Sequence, residues 1–183
     1  NLVLGNYAIN LPLGVLTREL KPNDSALRRI HKARYVSFTE PDNGMNEQLR
    51  VSNIKGLTGE DSIVVRDLYE KAFAASIVGT FVVLCNSLPD IAFENNEAEI
   101  QRINIVAFET TFTDNEKQLK LDPKKFKPIN KSYMTREWKE EYANAFFKVL
   151  IDFEPDVSPP VIHKNDKSEQ IKQDWFNESN LFL

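Results

Sequence analysis

Glu40 and Asp42 follow the strand-like run YVSFT, and Asn86 follows the apolar run FVVLC. A carboxylate at the carboxyl end of a buried strand can orient an attacking or metal-bound water. An amide on the adjacent strand can hold that water or a phosphate oxygen. Open α/β sheets place their ligands at this edge. From spacing alone, residues 40–44 read equally as a proline-containing turn and Asn86 as a strand-ending cap. Cationic groups form a second set. Arg66 and Lys71, with Tyr69 between them, belong to the polar stretch RDLYEK, which β-branched runs flank on both sides, and Arg102 opens RINIVAF. Such groups can contact phosphates, and Tyr69 can stack on a base or pack against its own hairpin. His31 and His163 are too far apart in sequence to begin a zinc pattern, and Cys85 reads as a packing thiol.

These residues need an α/β framework to bring them together. Strands are expected over residues 35–39 and 81–85, the second covered on both faces as in a parallel sheet. A short helix capped by Asp24 or Ser25 precedes the first of them. A helix over residues 46–55, stopped by Gly56, follows it, with Lys55 as a charge at its carboxyl end. Residues 62–78 read as a hairpin with an exposed tip. An acidic loop or short helix over 94–101 and a strand over 102–108 come next. The stretch KKFKPIN is expected to be a linker. SYMTREWKEEYANAFFKVLIDF is an amphipathic helix with Trp138, Tyr142, Ala145, Phe146 and Val149 at helical spacing. The last segment, from His163, is helical with its aromatic residues near the end.

The chain has 183 residues, 42% hydrophobic and 27% charged, enough for one core and a small appendage. A single cysteine excludes a disulfide framework and fits a reducing compartment. No stretch approaches the roughly 20 apolar residues that span a bilayer, and no signal peptide is visible, so no membrane contact and an intracellular location are expected. The net charge of −4 argues against a surface made for indiscriminate nucleic-acid binding. Positive charge is nevertheless concentrated in RRIHKAR (28–34) and KKFKPINK (124–131), each also readable as a solvated face. The opening NLVLGNYAINLP, without an initiating methionine, is expected of a fragment or a processed product.

Read together, LGNYAINLP, RYVSFTEPD, IKGLTGEDSIVVRDLYEKAF, FVVLCNSLPDI and RINIVAFETTF resemble consecutive motifs of the superfamily 3 helicases. The branch they resemble is that of the poxvirus-type primase-helicases of large DNA viruses and satellite-phage primases. The TGEDSIVVRDLY block followed by a strand ending in CNSLP is the most specific part. The resemblance implies an AAA+-like parallel sheet core with flanking helices and a projecting β-hairpin over residues 1–122. A linker and amphipathic helix would follow over 123–155, and a C-terminal helical segment over 156–183. It implies an ATP-dependent replicative DNA helicase that works with magnesium as a homo-oligomer, a hexameric ring with single-stranded DNA in its channel. An upstream primase-like domain and host cytoplasm at viral replication sites are implied as well.

Residue by residue, Glu40 falls on the Walker B acid, which polarises the attacking water and holds magnesium through water. Thr39 stands where that motif usually carries an aspartate. Asp42 is a second acid or a turn former, and Asn86 matches the motif C sensor of the γ-phosphate. Arg102 falls where the family carries an arginine finger donated to the neighbouring subunit's nucleotide, often one of a pair, whereas Gln101 stands beside it here. Lys71 matches the hairpin that grips nucleic-acid phosphates, with Arg66 second and Tyr69 packing or stacking. No GxxxxGK[ST] occurs in the sequence, and the resemblance places that loop slightly upstream of Asn1. The chain alone is then expected to be inactive as an ATPase. The alternative is a non-catalytic AAA-like oligomerisation or scaffold domain of a replication protein.

Overall fold

The computed structural model describes residues 2–39, 48–59, 61–66, 69–91, 97–152 and 165–180. The chain divides into two compact units, Val3–Asn104 with Glu169–Leu183, and Ile105–Ser168.

The first unit is built on β1 (Ala8–Pro12), α1 (Ser25–Ile30) and β2 (Tyr35–Thr39). Then come α2 (Val51–Thr58), β3 (Ile63–Val65), β4 (Phe73–Ala75), β5 (Thr80–Leu84) and α3 (Glu97–Ile100). Strands β1, β2 and β5 form a parallel sheet in that order, with β2 in the middle. Val36, Ser37 and Phe38 of β2 are buried, as a central parallel strand requires. They pack in a core that includes Leu11, Leu13, Ile30 and Ile91. Asp24 caps α1, accepting a 2.8 Å hydrogen bond from the Ala26 amide. Arg18 pairs with the same carboxylate. The hydrogen bond from Arg18 is the main cause that holds the Asp24 carboxyl below its usual range, and that bond raises Arg18 in turn. The chain enters β5 through Gly79, where a Cβ would come within 3.3 Å of the Ala33 carbonyl oxygen. Beside it, the Thr80 amide donates to the Arg34 carbonyl at 2.8 Å.

The second unit holds β6 (Thr111–Thr113), α4 (Glu116–Leu121), β7 (Phe126–Pro128) and α5 (Arg136–Asp152). Its two strands pair in parallel around α4, which Asn115 caps by accepting from the Lys117 amide at 3.0 Å. On α5 the Trp138 and Tyr142 rings stack with centroids 4.6 Å apart, and Tyr133, in the turn before the helix, tilts against Trp138 at 4.8 Å. Helix α6 (Asp166–Asn180) begins in this unit, and its residues from Glu169 onward belong to the first. There the Trp175 indole donates to the Pro89 carbonyl at 3.1 Å. No helix among the described residues is long and apolar enough to cross a membrane.

The mixed α/β class, the strand at 35–39 and the hairpin are as expected, and four local expectations are corrected. Residues 103–110 form no strand: Val106 and Phe108 are exposed, and the short ladder falls later, at β6. A β-rich sequence becomes a strand only where another backbone offers it a ladder. The stretch KKFKPIN is not wholly a linker, since β7 lies within it. Helix α2 runs through Gly56 and ends at Gly59, where a Cβ would lie 2.8 Å from the Lys55 carbonyl oxygen. The cost of a mid-helix glycine, about 1 kcal/mol, is outweighed by burial of Val51 and Leu57. Finally, β5 is an outer strand among the described residues, with Val83 37% and Leu84 46% exposed and Cys85 exposed rather than packed.

Candidate functional site at the carboxyl edge of the sheet

Strands β2 and β5 are hydrogen-bonded parallel neighbours, in register from Tyr35 opposite Thr80 to Thr39 opposite Leu84. Their carboxyl ends therefore reach the same edge side by side. Asn86 lies two residues beyond Leu84 and is exposed there. Glu40 follows Thr39 directly in the chain. Glu40 and Asp42 themselves lie outside the described residues.

The structure adds a polar chain at this edge that sequence reasoning missed. The Thr39 hydroxyl donates to Asn10 Oδ1 at 3.2 Å, and Asn10 Nδ2 donates to Ser37 Oγ at 3.0 Å. The Ser37 hydroxyl passes the chain on to the Ile9 carbonyl at 3.3 Å. Asn10 on β1 thereby fixes the rotamer of the residue that immediately precedes Glu40. Polar side chains inside the otherwise apolar runs AINLP and YVSFT were the available signal.

Arg102 is exposed and lies on the last turn of α2, where its Nη1 donates to Thr58 Oγ1 at 3.2 Å and to the Thr58 carbonyl at 3.4 Å. A guanidinium at a helix carboxyl terminus satisfies carbonyls and complements the helix dipole. Lys55 in the same turn pairs with Glu99, a carboxylate only 2% exposed at its side chain. Lys55 is thus more than a helix-end charge, because it compensates a buried one.

Strands β3 and β4 pair antiparallel as a hairpin, with Val65 opposite Phe73. In its connection Arg66 Nε donates to the Glu70 carbonyl at 3.2 Å. Lys71 is exposed, and Tyr69 is 96% exposed with a left-handed φ of 64°. At that exposure Tyr69 does not pack against the described residues of the hairpin.

Further along, Gln48, Leu88 and Ile91 face Ile171, Trp175 and Ser179 across a cleft of about 650 Å³. Asp90, Asp174 and Glu178 also line it, and three carboxylates repel a polyphosphate. Among the described residues no cluster of acidic, histidine or cysteine side chains is arranged to hold a metal ion.

The chain is similar to helicase-named proteins of large DNA viruses. It is 27% identical over 156 residues to "Putative helicase 184R" of Invertebrate iridescent virus 6, covering 80% of this chain and 16% of that protein. It is 29% identical over 117 residues to "Putative helicase 022R" of Frog virus 3, covering 60% of this chain and 12% of that protein. With "Putative helicase 121R" of Invertebrate iridescent virus 3 it shares 32% identity over 116 residues, again 60% of this chain and 12% of the relative. The chain thus spans 12% to 16% of the length of these relatives. No family model matches it.

Proposed function

We propose that this chain is part of an ATP-dependent DNA helicase of the superfamily 3 type, attached to a primase-like part and working as a homo-oligomeric ring. The observation that carries the reading is the parallel pairing of β2 with β5. It sets Thr39, which precedes Glu40 in the chain, beside Leu84, two residues before Asn86, at the carboxyl edge of one sheet. The similarity to helicase-named viral proteins supports the same reading.

In this mechanism Glu40 accepts a proton from, or orients, the water that attacks the terminal phosphate. Asn86 donates its amide to that water or to a γ-phosphate oxygen. Asn10 and Thr39 hold the strand end that leads into Glu40 in one conformation. The donor chemistry fits one side of a triphosphate: Asn86 supplies a neutral donor and Glu40 a carboxylate. Magnesium, when bound, supplies charge neutralisation of the phosphates, with Glu40 holding it through water. The reading requires a phosphate-cradling loop from outside these 183 residues. Arg102 reaches a neighbouring subunit's nucleotide only by leaving Thr58, so release of those two hydrogen bonds accompanies ring assembly. Lys71 contacts single-stranded DNA.

The test is Glu40→Gln in the full-length protein, which keeps the shape and hydrogen-bonding reach but removes the base. ATP hydrolysis is expected to fall by about 10²–10⁴-fold, while nucleotide binding, read by fluorescent-nucleotide titration, stays within a few-fold of wild type. Turnover near the wild-type rate would remove Glu40 from the mechanism and leave the scaffold reading in its place.

A further inference from the structure

We propose that the segment from Lys21 to Arg34, which contains α1, and the β3–β4 hairpin form one surface that binds the phosphate backbone of single-stranded nucleic acid. The inference rests on the helicase reading and extends its nucleic-acid contact beyond the hairpin. Charge is the first observation. Six cations and two carboxylates lie between Arg18 and Arg34, in a protein whose net charge is −4. One of those carboxylates, Asp24, is already paired with Arg18. Lys21, Lys32 and Arg34 are exposed and form no ion pair among the described residues. Lys21, Lys32 and Arg34 thus carry positive charge that no ion pair compensates among the described residues, in a chain that is acidic overall, which is the electrostatic footprint of a polyanion site.

The second observation is that the fold joins this segment to the hairpin. The Arg66 amide donates to the Pro22 carbonyl at 2.8 Å, and the Phe73 ring meets the His31 ring edge-on with centroids 5.6 Å apart. One contact sits before α1 and the other just after it, and both come from the tip end of the β3–β4 ladder, so that end of the hairpin meets the segment at both ends of α1. Lys71 and Tyr69 therefore belong to the same surface as Lys32 and Arg34. A nearly fully exposed tyrosine between Arg66 and Lys71 offers the π-face on which a base stacks, while the cations take the backbone.

The test uses fluorescein-labelled oligothymidylate and anisotropy titrations of the full chain at several KCl concentrations. Each phosphate that the protein no longer neutralises lowers the slope of log K against log salt by about 0.7 for a single strand. Lys32→Glu/Arg34→Glu is expected to lower that slope by at least about 1.4, because two phosphates go without a cation, and to weaken binding more than about tenfold at low salt. The gentler pair Lys21→Gln/Lys32→Gln is expected to lower the slope in the same sense, which guards against a folding defect in the first variant. Lys117→Glu/Lys120→Glu, in the other compact unit, should bind like wild type. If the Lys32/Arg34 and Lys21/Lys32 variants bind like wild type while Lys71→Glu is weakened, the α1 segment is not part of the site. The helicase reading would survive that result. A wild-type chain that does not bind the oligonucleotide overturns the surface altogether, and the Glu40→Gln assay then judges the motor reading separately.

Discussion

Replacing Asn53 by alanine tests how the turn after β1 is held against α2. Asn53 is 7% exposed, and its Nδ2 donates to the Leu16 carbonyl at 2.9 Å and the Arg18 carbonyl at 2.8 Å. The Leu16 carbonyl also accepts from the Arg50 amide at 3.0 Å, so it keeps a partner when Asn53 is truncated. The Arg18 carbonyl loses the donor that Asn53 provides. Two hydrogen bonds at a net of about 1 kcal/mol each, with a further penalty of about 1–2 kcal/mol for the abandoned carbonyl, give a loss of roughly 3–4 kcal/mol. Asn53→Asp should cost more at pH 7, because an ionised carboxylate would face two carbonyl oxygens with no proton to offer. That carboxyl is expected to titrate above its unfolded value, since burial and two carbonyl dipoles disfavour its charge. Its excess cost over alanine is therefore present at neutral pH and shrinks as pH falls through the raised folded value. The assay is urea unfolding followed by Trp175 fluorescence in a Trp138→Phe background, at pH 7 and again at pH 4.5. An alanine variant within about 0.5 kcal/mol of wild type at unchanged m-value would refute the reasoning, because a surface change gives no more than that.

Asp24→Ala should cost about 1–2 kcal/mol at pH 7 through loss of the α1 cap. The folded-state value of Asp24 is depressed, so its contribution is present above the unfolded value, near 4, and disappears as pH falls through the folded one. Thermal midpoints from pH 7 to pH 2 should accordingly show a shallower acid limb in the variant, and parallel curves would count against the pairing. Trp175→Phe keeps the aromatic packing but drops the bond to Pro89, a loss of about 1 kcal/mol. It should speed hydrogen exchange of the Leu49 amide, which donates to the neighbouring Asp90 carbonyl. Unchanged exchange there would mean that α6 does not brace the exit from β5.

Features that depend on neighbours along the chain were legible in the residues alone. The cap at Asp24 follows from a short carboxylate ahead of SALRRI, and the strand at 35–39 follows from an apolar β-branched and aromatic run. The hairpin follows from two β-branched stretches around a polar tip. The polar ends of two strands, and hence the candidate edge, could be read for the same reason. Non-local partners settled the rest. FVVLC has the apolar composition of a doubly covered strand, yet among the described residues it lies at the side of the sheet, with Leu84 open to solvent. RINIVAF has strand propensity but no ladder. Asn10, Ser37 and Thr39 are three ordinary polar residues until parallel register sets them hand to hand 27 to 29 positions apart. The basic run 28–34 reads as a solvated face until the Phe73 ring of the hairpin meets His31 within it. In each case local propensity is worth a few tenths of a kcal/mol per residue, and a buried hydrogen bond or a shared ladder from a distant segment outweighs it.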